Sequence, residues 1–173
     1  MVKLESYKIQ EDVFMVTIDF RQVKLTKGLI REIQKVNETI SIYNIYNRFS
    51  ETGRFNALKC IKNDSSPSHV FWDSDIAKWL ESVAYILNGV KDPKLTALAD
   101  TAIDDICNNQ LDSGYFNSYC QVYAPDKIFT QRMEHELYCA GHLIEAGIAF
   151  HECIADDRLY RAMIKYADYI YER

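Results

Sequence analysis

Apolar side chains recur three or four places apart along most of this sequence and seldom alternate, the signature of helices rather than of sheet. From Thr26 to about Phe49, Leu29, Ile33, Val36, Ile40, Tyr43 and Tyr46 share the spacing of one helical face. Glu51–Arg54 interrupts that run, and Gly53 suits a turn. A linker of turn formers follows at Asn63–Ser68, with Pro67 inside it. The next helix is predicted from Asp73 or Ser74, either of which can cap it, to a stop at Asn88-Gly89. Pro93 opens another, carrying Leu95, Leu98, Ala102, Ile103 and Ile106 towards Gln110. Asp112–Ser118 reads as a turn-rich loop, and two further helices are expected at about Gln131–Glu152 and Asp157–Arg173. Residues 11–20, rich in β-branched and aromatic side chains, suit a short strand or an extended lead-in.

The sequence also repeats itself without gaps. Glu81, Asp92 and Leu95 recur as Glu145, Asp156 and Leu159 at one common spacing, and the apolar positions between them keep register. Such a repeat describes two consecutive αα-hairpins joined by short turns. In the second, Leu137, Gly141, Ile144 and Ile148 fall on one side of the Gln131–Glu152 helix, while His135, Cys139, His142, Ala146 and Ala149 fall nearly opposite. A helix apolar or small on two faces is expected to be buried on both, as in the inner layer of a helical toroid. The Asp157–Arg173 helix, more amphipathic, would pack outside it.

Composition narrows the function classes. The 173 residues are 48% hydrophobic and 13% aromatic, enough to bury a sizeable core as one domain, 1–173. Net charge is −5, with no basic run to track a phosphate backbone, so nucleic acid is not an expected partner. No stretch approaches a signal peptide or the roughly 20 apolar residues of a membrane span, so no membrane association and a cytoplasmic location are expected. Five widely spaced cysteines (Cys60, Cys107, Cys120, Cys139, Cys153), without a Cys-x-x-Cys pair, fit small buried hydrophobes better than a disulfide framework or zinc ribbon.

Candidate chemistry gathers at helix starts. His69-Val-Phe-Trp-Asp-Ser-Asp75 and His135-Glu-Leu-Tyr-Cys-Ala-Gly-His142 each place hydrogen-bonding groups where an otherwise apolar helix begins. Registered on the repeat, Asp75 overlies Cys139, so Asp73, Asp75, His135 and the Gly114–Tyr119 loop are expected near one end of neighbouring inner helices. In α/α toroids that ring of helix ends forms the concave mouth. His135, Cys139 and His142 have a spacing compatible with metal ligation, yet along one helix they span about 10 Å, too far to share one ion. Trp72 and Trp79 could stack on sugars, although core positions are the ordinary reading of such residues.

The runs His69–Glu81 and His135–Ala146, together with Thr52-Gly-Arg-Phe-Asn56 and the Asp112–Tyr119 loop, resemble the N-terminal part of glycoside hydrolase family 127, the β-L-arabinofuranosidases. Ser113 stands where that family's pattern has an acidic residue before Gly-Tyr. The resemblance implies an all-α fold of αα-hairpins, about half of an (α/α)6 toroid. The implied activity is removal of terminal L-arabinofuranose from a glycan, the chain's carbohydrate partner. It further implies a zinc-held cysteine thiolate as nucleophile and a glutamate as acid/base in the complete family enzyme. None of the five cysteines here matches that nucleophile, so no catalytic residue and no cofactor are expected in this chain. His135, Asp73, Asp75, Tyr138 and Tyr119 are the expected substrate-binding residues. Six hairpins would need roughly 350 to 400 residues, so a fragment is expected, paired with the missing C-terminal half or with its own copies. The alternative is a non-catalytic helical module that binds carbohydrate or protein.

Overall fold

The computed structural model describes residues 18–173, and every regular element among them is helical. The segment expected at 11–20 lies outside the described residues except for its end, where Phe20–Gln22 forms one 3₁₀ turn. A first helix, α1 (Leu29–Val36), runs through a π-helical turn at Asn37–Ser41 into α2 (Ile42–Glu51). Gly53 is left-handed and leads into the short α3 (Arg54–Ala57). Beyond the turns of the Asn63–Ser68 linker come α4 (Trp72–Gly89) and α5 (Pro93–Asn109). One turn of helix, α6 (Cys120–Tyr123), precedes the second hairpin, α7 (Glu136–Ile154) and α8 (Arg158–Tyr171).

The internal repeat is a repeat of structure. α4 superposes in sequence on α7, and α5 on α8, with Leu95 and Leu159 both fully buried. Asp92 starts α5 by accepting from the amides of Lys94 and Leu95 at 3.1 and 3.0 Å, and Asp156 accepts from the amide of Arg158 at 3.0 Å. α4 and α7 lie side by side as an inner layer, while α2, α5 and α8 flank them outside. Ile76, Leu80 and Val83 of α4 meet Leu143, Ala146 and Phe150 of α7 in one apolar core. Gly147 allows α8 to come close: a Cβ there would sit 3.2 Å from the Cα of Tyr160. Such a half-circle of hairpins is the toroid fragment the pattern predicts.

Helix ends differ from expectation where backbone geometry intervenes. α4 begins at Trp72, without a side-chain cap, because the carbonyls of His69 and Phe71 receive the first amides. α7 begins only at Glu136, because His135 takes a left-handed conformation (φ 57°) after a 3₁₀ turn at Arg132–Glu134.

Two predicted faces are left uncovered among the described residues. Leu29, Ile33, Val36 and Ile40 are between 47 and 74% exposed, because packing onto α4 begins only at α2. On α7, Leu137 and Ile148 are also exposed. The helix is buried along one broad side rather than two, since the half-circle sets no further inner helix against the other. Among the described residues no helix is long and apolar enough to cross a membrane.

Candidate functional site

The starts of α4 and α7 present their polar groups at the same end of the inner layer. His135 is exposed there, its ring 6.1 Å from Phe71 and 5.9 Å from Tyr138. Phe71 in turn packs against His69 at 4.2 Å. One turn further along α7, His142 meets Tyr138 edge to face at 4.7 Å, and its Nδ1 lies 3.0 Å from Glu145. Lys78 of α4 reaches across and donates to the Tyr138 hydroxyl at 2.6 Å. Tyr138 is therefore held from both sides with its ring near the surface. A hollow of about 480 Å³ adjoins His135, Leu137 and Tyr138.

Asp75 lies on the partly exposed stripe of α4 with Lys78 and Ser82, three and seven residues on. Its Oδ2 accepts from Arg54 Nε at 2.8 Å. That guanidinium is clamped, since it also donates to Thr52 Oγ1 and lies over the rings of Phe49 and Trp72 at 5.1 and 5.0 Å. The Thr52-Gly-Arg motif thus positions Asp75 through Arg54.

Asp73 and the Asp112–Tyr119 loop are placed differently from their neighbours. Asp73 is 1% exposed, and its Oδ2 accepts from the amide of Ser118 at 2.8 Å. Burial lifts its carboxyl to about 6, although the Ser118 bond pulls the other way. Tyr115, Phe116, Asn117 and Ser118 are buried too. Tyr115 donates to Glu136 Oε1 at 2.5 Å, and the amide of Phe129 donates to Glu136 Oε2 at 2.8 Å. Asn117 Oδ1 caps α6 by accepting from the amides of Tyr119 and Cys120. Gly114 cannot be replaced simply, because it has φ 92° and a Cβ would lie 2.3 Å from the carbonyl oxygen of Lys165. Residues 114–118 of the loop form a buried wedge between α4, α7 and α8, and Tyr119 packs at a tilt on Tyr123 beside it.

The structure therefore brings His135 and Tyr138 together at the exposed start of α7, sets Asp75 one turn before Lys78 on α4, buries Asp73, and leaves Tyr119 half-buried against Tyr123. Lys78, Arg54 and Phe71 adjoin Tyr138, Asp75 and His135 respectively, without having been singled out. Their signal was present as a polar stripe at helical spacing on the apolar α4 and as the Arg of the Thr52-Gly-Arg motif.

The thiols do not form a metal site. Burial raises Cys60 and Cys139 to about 12 and Cys120 to about 11, which disfavours the thiolate that zinc requires. Cys139 Sγ instead lies 3.4 Å from the carbonyl of Val70. Among the described residues no three His, Cys, Asp or Glu side chains are placed to hold a metal. The zinc implied by the family resemblance does not fit the residues present.

Comparisons with known proteins agree on one family. A family model for the β-L-arabinofuranosidase GH127 catalytic domain matches residues 22–173. A non-reducing end β-L-arabinofuranosidase of Bifidobacterium longum subsp. longum is 37% identical over 111 residues, 61% of this chain and 17% of that protein. The crystal structure of a GH127 β-L-arabinofuranosidase from Geobacillus stearothermophilus T6 matches with a TM-score of 0.80 at 34% identity, covering 85% of this chain and 25% of that one. A second GH127 β-arabinofuranosidase structure shares the fold, with a TM-score of 0.77 at 24% identity over 89% of this chain and 26% of that one. The chain thus spans a quarter or less of the first two relatives.

Proposed function

This chain belongs to the GH127 β-L-arabinofuranosidase family, and from that premise we propose that it forms part of the sugar-recognising wall of a glycoside hydrolase acting on terminal L-arabinofuranose. The observation that carries the reading is the pairing of His135 with Tyr138 at the exposed start of α7, with Lys78 of α4, one turn beyond Asp75, donating to the Tyr138 hydroxyl. An imidazole offers one donor and one acceptor, a carboxylate two acceptors, and a tyrosine an apolar face with a polar tip. Together these suit vicinal hydroxyls above a C–H face. Asp73 and Tyr119 support this wall and do not touch the sugar. Neither zinc nor a cysteine nucleophile is assigned to this chain: Cys120 and Cys139 are buried, Cys60, Cys107 and Cys153 are half-buried, and desolvation raises all five thiols. The groups that break the glycosidic bond come from polypeptide outside these residues. Five free thiols suit a reducing cytoplasm.

The uncovered apolar faces of α1 and α7 favour this reading over a self-contained binding module. The test is calorimetric titration with methyl β-L-arabinofuranoside, alongside a turnover assay on a chromogenic β-L-arabinofuranoside. The parent chain should bind without hydrolysing, and His135→Ala should weaken binding about tenfold or more, the loss of one good contact. Zinc-independent turnover by the chain alone would overturn the division of labour. Unchanged affinity in His135→Ala would overturn the placement of the sugar.

A further inference from the structure

A second cavity lies beside this wall. It holds about 390 Å³, within the range of small-ligand sites, and is bounded by α3, the Lys59–Ser68 turns, Trp72 and Ser118. The segment Ser68–Trp72 divides the two regions: Ser68 and Trp72 line the cavity, whereas His69 and Phe71 pack towards His135. We propose that this cavity is a second carbohydrate subsite, receiving the sugar unit next to the one held at His135 and Tyr138. The inference rests on the sugar-binding reading above.

The lining is that of a site for a neutral, hydroxyl-rich ligand. Asn56 supplies an exposed side-chain amide that both donates and accepts, whereas Asn63 Oδ1 already accepts from Ser65 and the Tyr123 hydroxyl is already paired with the Asn63 backbone at 2.9 and 3.1 Å. Trp72 supplies an aromatic surface, with one region of its indole already taken by Arg54. Lys59 is the sole charged side chain in the lining, which leaves a phosphate or a metal cation without a matching charge set. At the floor, Ser118 is 1% exposed, and its hydroxyl, like that of Ser68, has no hydrogen-bond partner among the described residues. A buried polar atom left unpaired is costly, and a hydroxyl-bearing ligand satisfies it. Ser118 is also fixed from behind, since its amide donates to Asp73, so the floor is set before a ligand arrives.

The two tryptophans provide the readout. Trp79 is 2% exposed with its indole N–H bonded to the carbonyl of Ile42 at 3.0 Å, whereas Trp72 lines the cavity. In ¹⁵N-labelled full chain, titration with an arabinofuranosyl disaccharide should shift the indole resonance of Trp72 and leave Trp79 in place. Methyl β-L-arabinofuranoside should shift only resonances around His135 and Tyr138. Asn56→Ala removes an exposed side-chain amide without a hydrogen bond among the described residues, and should weaken disaccharide binding about fivefold or more while sparing the monosaccharide. If the disaccharide moves His135 and Tyr138 but not Trp72, the second subsite is wrong and the sugar-binding reading stands. If neither sugar moves any of these resonances, both fall. Equal weakening of both sugars by Asn56→Ala also counts against a separate subsite.

Discussion

Asp73 shows what one buried carboxylate does to this protein. Its folded value of about 6 stands above the ordinary unfolded carboxyl near 4, so the folded state holds the proton more tightly. Its contribution is most favourable below about pH 4 and is lost as pH rises through about 6, a penalty on the order of 3 kcal/mol. Asp73→Asn keeps a carbonyl for the Ser118 amide and does not ionise. Urea unfolding should find the variant equal to the parent near pH 4 and more stable by roughly 1–3 kcal/mol at pH 7.5. An advantage that does not shrink at low pH would mean that ionisation is not the cost. The sequence marked both Asp73 and Asp75 as candidates, and helical geometry explains why only one is partly exposed. Two residues apart on a helix is about 200° of rotation, so they look in nearly opposite directions. Which of them faces inward is decided by the Ser118 amide and by Arg54, which approach from distant parts of the chain.

Elements were legible to the extent that their signals are local. The two hairpins follow from the repeat of Asp92 and Leu95 as Asp156 and Leu159, because capping and apolar spacing act within one turn. The Asp112–Tyr119 loop was legible as turns but not as a buried wedge, since its burial depends on Glu136 accepting from Tyr115 and Phe129. Likewise, apolar spacing alone runs unbroken through the π turn at Asn37–Ser41. Asp92 ties these elements together: besides capping α5 it accepts from Tyr43 of α2 at 2.5 Å. The Tyr43 hydroxyl and the α5 amides hold its carboxyl below the ordinary range. Asp92→Ala should therefore cost about 1–2 kcal/mol at pH 7, with Asp92→Asn retaining most of the cap. Because the folded value is depressed, that benefit is present above the unfolded value near 4 and fades as pH falls through the folded one. Thermal melts of the two variants check this. Equal losses from Ala and Asn at pH 7 would assign the effect to charge rather than to capping.

At the scale of the whole molecule, the apolar stripe of α1 and the bare side of α7 belong together. An inner helix of a closed toroid has neighbours on both sides, and Leu137 and Ile148 have the apolar character such a position needs without the burial. Leu29 and Ile33 on α1, and Ile40 in the π turn that continues it, stand in the same situation. Covering such side chains contributes roughly 1.5–3 kcal/mol each, so the exposed faces supply a strong drive to associate. Replacing Leu29, Ile33 and Ile40 by Gln keeps helix-forming residues at those positions while removing the drive. If the faces await polypeptide beyond this half-circle, the triple variant should self-associate less in sedimentation velocity and lose little unfolding free energy, about 0.5 kcal/mol or less per site. Leu80→Ala, in the shared core of α4 and α7, should instead cost roughly 2–5 kcal/mol. A triple variant that unfolds as readily as Leu80→Ala would show that the α1 stripe is packed within this chain, and the half-circle would then be a closed structure in its own right.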